Sequence, residues 1–169
     1  MTGRRRLAAV LSGLGTLLLA ALVLACLPLT VPRLFGWQAY TVVSGSMEPA
    51  IPTGSLVYVH ETPPEEVAEG DVIAYYGAWD SASIITHRVV ENRVFMGEFV
   101  TKGDANLTED MNPVPYASLI GRVERSFPRL GEAAQTLTGR TGKFLAGGCI
   151  AAALLLQGLA ALLKRQRRA

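Results

Sequence analysis

Two serines flank a glycine in the stretch 44–54 (SGSMEPAIPTG), and the methionine and prolines that follow would hold such a loop stiffly. A serine hydroxyl becomes a useful nucleophile only when a neighbouring base removes its proton. His87, within IITHRVV at 84–90, is the candidate base, because an imidazole with an ordinary pKa of about 6.5 is mostly neutral near pH 7 and can accept that proton. An acid is then needed to fix the ring tautomer and stabilise the imidazolium. The loop 102–110 (KGDANLTED) offers Asp104, Glu109 and Asp110. Taken singly, each feature has a plainer explanation. An SGS triplet is commonly a turn, and Gly70-Asp71 reads as another. A lone histidine in a strand, such as His60, is commonly a packed or surface residue, and Lys102 reads as a solvated loop charge. With two cysteines and two histidines far apart, the sequence shows no metal-ligand cluster. No metal and no organic cofactor is expected.

The elements that must position these groups are short strands. Runs rich in Val, Ile, Tyr and Thr recur at 38–43, 55–60, 71–76, 83–91, 93–101 and 118–125. Between them stand Pro49, Pro52, Gly54, Pro63, Pro64, Gly70, Gly103, Pro113 and Pro115, which mark turns and loops. The segment 36–143 therefore reads as one small, mostly β domain, long enough to enclose a core.

On either side of that domain the composition changes. Residues 7–31 carry no charged side chain, and 144–163 form a second uncharged run interrupted only by Gln157. About 20 helical residues at roughly 1.5 Å each cross a bilayer core of about 30 Å. Both runs are therefore predicted to be transmembrane helices, the first ending near Pro28 and Pro32. Basic clusters lie at their distal ends, in the tails 1–6 and 164–169, while 36–143 holds all 14 acidic residues against 8 basic ones, a net charge of −6. Positive charge beside the spans predicts both termini in the cytoplasm and the β domain outside, at the cell membrane. A net-acidic domain also argues against a nucleic-acid face. A basic start followed by an apolar run also describes a cleavable signal peptide, and VLAC at 23–26 resembles a lipoprotein cleavage box. Against that, the run exceeds the usual apolar core of about 7–15 residues. Cys26 and Cys149 fall at similar depths in the two spans, but nothing in the sequence demands a bridge between them.

Four blocks in order, SGSMEP at 44–49, GDVIAYY at 70–76, THRVV at 86–90 and TKGDAN at 101–106, carry a resemblance. The chain resembles a type I signal peptidase of the endoplasmic-reticulum and archaeal kind, a Ser-His branch also found in Gram-positive bacteria. That resemblance implies a signal-peptidase-like β domain flanked by two transmembrane helices. It implies Ser46 as nucleophile, His87 in place of the lysine base of the better-known bacterial branch, and Ser44 as an oxyanion-hole hydroxyl. Asp110 maps onto the third member of the site and is placed ahead of Asp104, which is also implied to be needed; one sequence does not bring either carboxylate to the imidazole. Ala105 departs from the family pattern, where a second amide is frequent.

The implied substrates are exported preproteins with cleavable signal peptides, delivered at the lipid bilayer by the secretion translocon. They would lie extended along a strand edge between Val42, Val43 and Ser44 on one side and Ile84 to Thr86 on the other. Two rivals are weighed. A non-catalytic two-span protein presenting a peptidase-like β domain as a scaffold or accessory subunit would not need every reactive position filled. A self-cleaving repressor-type peptidase would need a lysine base and no spans.

Overall fold

The computed structural model describes residues 3–77 and 83–165. Among them, seven strands pair into one antiparallel sheet: β1 (Trp37–Thr41), β2 (Leu56–His60), β3 (Val72–Tyr76), β4 (Ile84–Arg93), β5 (Glu98–Lys102), β6 (Val114–Pro115) and β7 (Leu119–Phe127). Their spatial order is β1-β2-β7-β3-β4-β5-β6. Among the same residues there are three α-helices, α1 (Gly3–Thr30), α2 (Leu130–Thr138) and α3 (Arg140–Arg165), and three short 3-10 turns. A β domain flanked by two long apolar helices is the architecture the sequence predicts. Of the expected basic tails, residues 1–2 and 166–169 lie outside the described residues.

The sequence misplaces some boundaries, for local reasons. The run 93–101 is not one strand. β4 continues to Arg93, and the chain then reverses through a tight turn in which the Met96 and Gly97 amides donate to the Arg93 carbonyl and Gly97 takes φ +68°. Only a residue without Cβ adopts that left-handed conformation readily. The first helix ends at Thr30, between Pro28 and Pro32 as expected, with Pro28 in its last turn and a short 3-10 turn over Pro32–Phe35 after it.

The chain divides into two compact units: residues up to Thr30 together with those from Thr136 on, and Val31–Gln135. In the first, α1 and α3 pack against each other, and both are long and apolar enough to cross a membrane. Their contact is close because small residues form it. A Cβ on Gly15 would stand 3.0 Å from the Ala153 carbonyl oxygen, and Ala8, Ala153 and Ala160 are buried. Leucines point outward instead, Leu17 at 65% and Leu155 at 69% exposure. Small residues at the seam and leucines on the outside reverse the pattern of a water-soluble helix pair.

In the second unit the sheet is covered on both faces. Val42, Met47, Ile51, Val57, Val59, Ala74 and Ile120 form one core, while Val67, Ile73, Tyr75, Val89, Phe99 and Val114 form another. Successive strand residues face opposite sides, so β3 contributes Ala74 to the first core and its neighbours Ile73 and Tyr75 to the second. Close backbone crossing is secured at Gly121, where φ is +156° and a Cβ would lie 2.2 Å from the His60 carbonyl oxygen.

Candidate active site

The loop after β1 is fixed from beneath and from within. Met47 and Ile51, 1% and 5% exposed, insert into the first core. The Ile51 amide donates to the Met47 carbonyl at 2.8 Å, and the Glu48 carboxylate accepts from both the amide and the hydroxyl of Thr53, at 3.2 and 2.9 Å. Those two donors hold the Glu48 carboxyl below its ordinary value. The result is a stiff arch with Ser44 and Ser46 at its approach, their hydroxyl oxygens 3.4 Å apart.

Ser44, Ser46, Val42 and Val43 line a cleft of about 370 Å³ whose other wall is Ile84, Ile85 and Thr86 of β4. β4 is paired with β3 from Ile84 through Arg88, whereas its pairing with β5 begins only at Arg88. On that side, the backbone of Ile84 to His87 has no strand partner among the described residues. β1, at the end of the sheet order, likewise has one edge without a strand partner among the described residues.

His87 is 9% exposed and pairs with Ile73 in the ladder. Its Nδ1 lies 2.6 Å from Oδ2 of Asp110, and the same oxygen accepts the Thr101 hydroxyl at 2.6 Å. The Asp110 amide in turn donates to the Thr101 carbonyl at 2.8 Å. Tyr75, 6% exposed, stands edge-on to the imidazole with its hydroxyl 3.5 Å from Nδ1. Burial pushes its phenol up to about 12, opposed by the Thr101 hydroxyl and aided by the Asp110 carboxylate, so Tyr75 is neutral across the physiological range. Tyr75, His87 and Asp110 border a second cavity of about 240 Å³, which shares Ile85 with the first.

Of the two candidate aspartates, Asp110 is at the imidazole and Asp104 is not. Asp104 accepts a two-pronged bond from Arg88, at 2.8 and 2.6 Å, and Arg88 also donates to the Gly70 carbonyl at 2.8 Å. The hydrogen bonds from Arg88 to Asp104 raise the guanidinium above its ordinary value. This pair ties the loop after β5 to the turn before β3.

Ser46 and His87 make no hydrogen bond to each other among the described residues; what joins them is the loop 103–110. At one end the Ala105 amide donates to the Ser46 carbonyl at 2.9 Å, and a Cβ on Gly103 would lie 2.6 Å from that carbonyl oxygen. At the other end Asp110 holds His87. Continuing the β4–β5 register one step beyond Arg88–Lys102 sets Gly103 opposite His87. The reading of the sequence missed Tyr75 and Thr101. Their strand positions were legible, but their convergence on His87 follows from cross-strand register, which one sequence does not carry.

No protein-family model matches the chain. Among curated proteins, it is similar to signal peptidase I W of Bacillus subtilis (strain 168), with 42% identity over 87 residues, 49% of this chain and 44% of that protein. The match thus spans less than half the length of that relative.

Proposed function

We propose that the chain is a membrane-bound serine endopeptidase that removes N-terminal signal peptides from exported preproteins, by Ser-His-Asp chemistry of the endoplasmic-reticulum and archaeal kind. The observation that carries this reading is the loop 103–110, which binds the Ser46 backbone at one end and sets the Asp110 carboxylate 2.6 Å from His87 Nδ1 at the other. Likeness to a signal peptidase I supports the reaction class.

In this mechanism Asp110 keeps a proton on Nδ1, which leaves Nε2 with its lone pair as the base. His87 takes the Ser46 proton as the hydroxyl attacks the scissile carbonyl. The contact between the two side chains tightens when substrate excludes water from the cleft. The Ser46 amide and the Ser44 hydroxyl stabilise the oxyanion, each such donor contributing about 3–4 kcal/mol to the transition state. The imidazolium then protonates the departing amine, and water resolves the acyl-enzyme by the same route. An extended substrate adds to the open edge of β4 at Ile84 to Thr86 and faces Val42 and Val43. The apolar walls of that cleft admit small side chains before the scissile bond. Helices α1 and α3 hold the site at the bilayer, where the end of a signal helix arrives, so placement substitutes for affinity. The scaffold alternative has no observation of its own in its favour.

The test is cleavage of a labelled preprotein by the purified full chain, with the cut located by mass spectrometry. Ser46→Ala and His87→Ala are expected to lower the rate by about 10⁴-fold or more, and His60→Ala to leave it within about threefold, since His60 packs edge-on against Trp37 in β1. Normal turnover by Ser46→Ala would end the proposal.

A further inference from the structure

The His87–Asp110 pair has an unusual support. Asp110 belongs to no helix or strand, and its carboxylate is bonded to Thr101 and His87. Two buried hydroxyls, from the strands on either side of β4, converge on the His87–Asp110 pair: Thr101 of β5, 0% exposed, at the carboxylate, and Tyr75 of β3, 6% exposed, at Nδ1. Burying a hydroxyl is costly unless it is hydrogen-bonded, and the partners available here are few. Thr101 has one hydroxyl proton and gives it to Asp110 Oδ2. Nδ1 of His87, at 2.6 Å from the same oxygen, gives its proton there too. Tyr75, kept neutral chiefly by burial, sets its hydroxyl 3.5 Å from the same Nδ1, where its interactions with Asp110 favour the protonated phenol.

We infer that Tyr75 and Thr101 are positioning residues for the proposed reaction, whose hydroxyls hold the Asp110 carboxylate on His87 Nδ1 and thereby keep Nε2 free to act as the base. This deepens the reading of His87 as base and rests on it. The ionisable groups facing the imidazole are Tyr75 from β3 and Asp110 from the loop after β5. One residue along β4, on its other face, Arg88 is occupied by Asp104. With one of the two hydroxyls removed, the carboxylate is free to turn from the ring, and the imidazole proton can move from Nδ1 to Nε2, where it blocks catalysis.

The test uses Tyr75→Phe and Thr101→Val in the full chain in detergent micelles, because both keep side-chain shape and remove only the hydroxyl. Nitrogen-15 shifts of labelled histidine report the tautomer, and the chain has two histidines, so His60→Gln identifies the His87 signals. The neutral ring is expected to carry its proton on Nδ1 in the parent protein and to be redistributed towards Nε2 in both variants. With a preprotein substrate, kcat is expected to fall about tenfold while KM stays within about twofold. Unchanged shifts and parental kcat in folded variants would overturn the inference. A packing role alone would alter thermal stability without moving the tautomer. The two readings separate cleanly: a parent chain that cuts no preprotein defeats the proposed function, while the tautomer measurement still decides the role of the two hydroxyls.

Discussion

At the scale of single residues, the two aspartates of one loop are expected to behave differently when each loses its charge. Asp110→Asn presents an amide to Nδ1 and favours the wrong tautomer, so kcat for preprotein cleavage is expected to drop by about 10⁴-fold with the fold intact. Asp104→Asn breaks the two-pronged bond to Arg88, which is partly exposed at 36%. Solvent screening limits that loss to about 1–2 kcal/mol of stability, read as a lower thermal midpoint, with a smaller effect on rate. Equal rate losses in the two variants would contradict the division of roles. Which aspartate faces the imidazole was not legible in the sequence, since five residues of irregular loop lie between them. Ser46, Ser44 and His87 stand out in the sequence as reactive types in ordered blocks, and the roles given to them belong to the proposed function. Tyr75 was hidden because a tyrosine in a β-run is ordinarily read as strand filler.

At the scale of elements, the site depends on two loops meeting without room to spare. Gly103 has no Cβ to strike the Ser46 carbonyl oxygen, which would lie 2.6 Å away. Gly103→Ala is therefore expected to displace the Ser46 backbone while the sheet still forms. A misplacement of about 1 Å is enough to lower kcat by about 10²-fold, and a normal rate would mean that the loop contact does not set the proposed nucleophile. The arch 44–54 adds a pH dependence. The Glu48 carboxyl lies below its ordinary value of 4.5 because Thr53 donates to its charged form. A depressed carboxylate contributes stability that is fully present above the unfolded value and lost as pH falls through the folded one. Limited proteolysis within 44–54 at neutral pH is expected to be faster in Glu48→Gln than in the parent, and the difference to vanish in strong acid. Most strands were readable from their β-branched and aromatic runs. β6 was not, because Val114–Pro115 is two residues long and contains a proline, so neither length nor alternation announces it.

At the scale of the whole molecule, charge and hydropathy bear on which side of a membrane the site occupies. Arg4, Arg5 and Arg6 lie at the start of α1, and Lys164 and Arg165 at the end of α3, while 36–143 carries a net charge of −6. Retention of positive charge on the cytoplasmic side predicts that the β unit is translocated. Leu107, 97% exposed on the loop that joins the two halves of the site, is a suitable reporter. With Cys26 and Cys149 replaced by alanine, Leu107→Cys in intact cells is expected to react with a membrane-impermeant maleimide. Gly3→Cys, where an added Cβ meets nothing within 4 Å, is expected to react only after the membrane is opened. The reverse pattern would place Ser46 and His87 in the cytosol, where exported chains have not yet reached the far face of the bilayer, and the proposed processing role would then fail even if the hydrolytic chemistry survived in detergent.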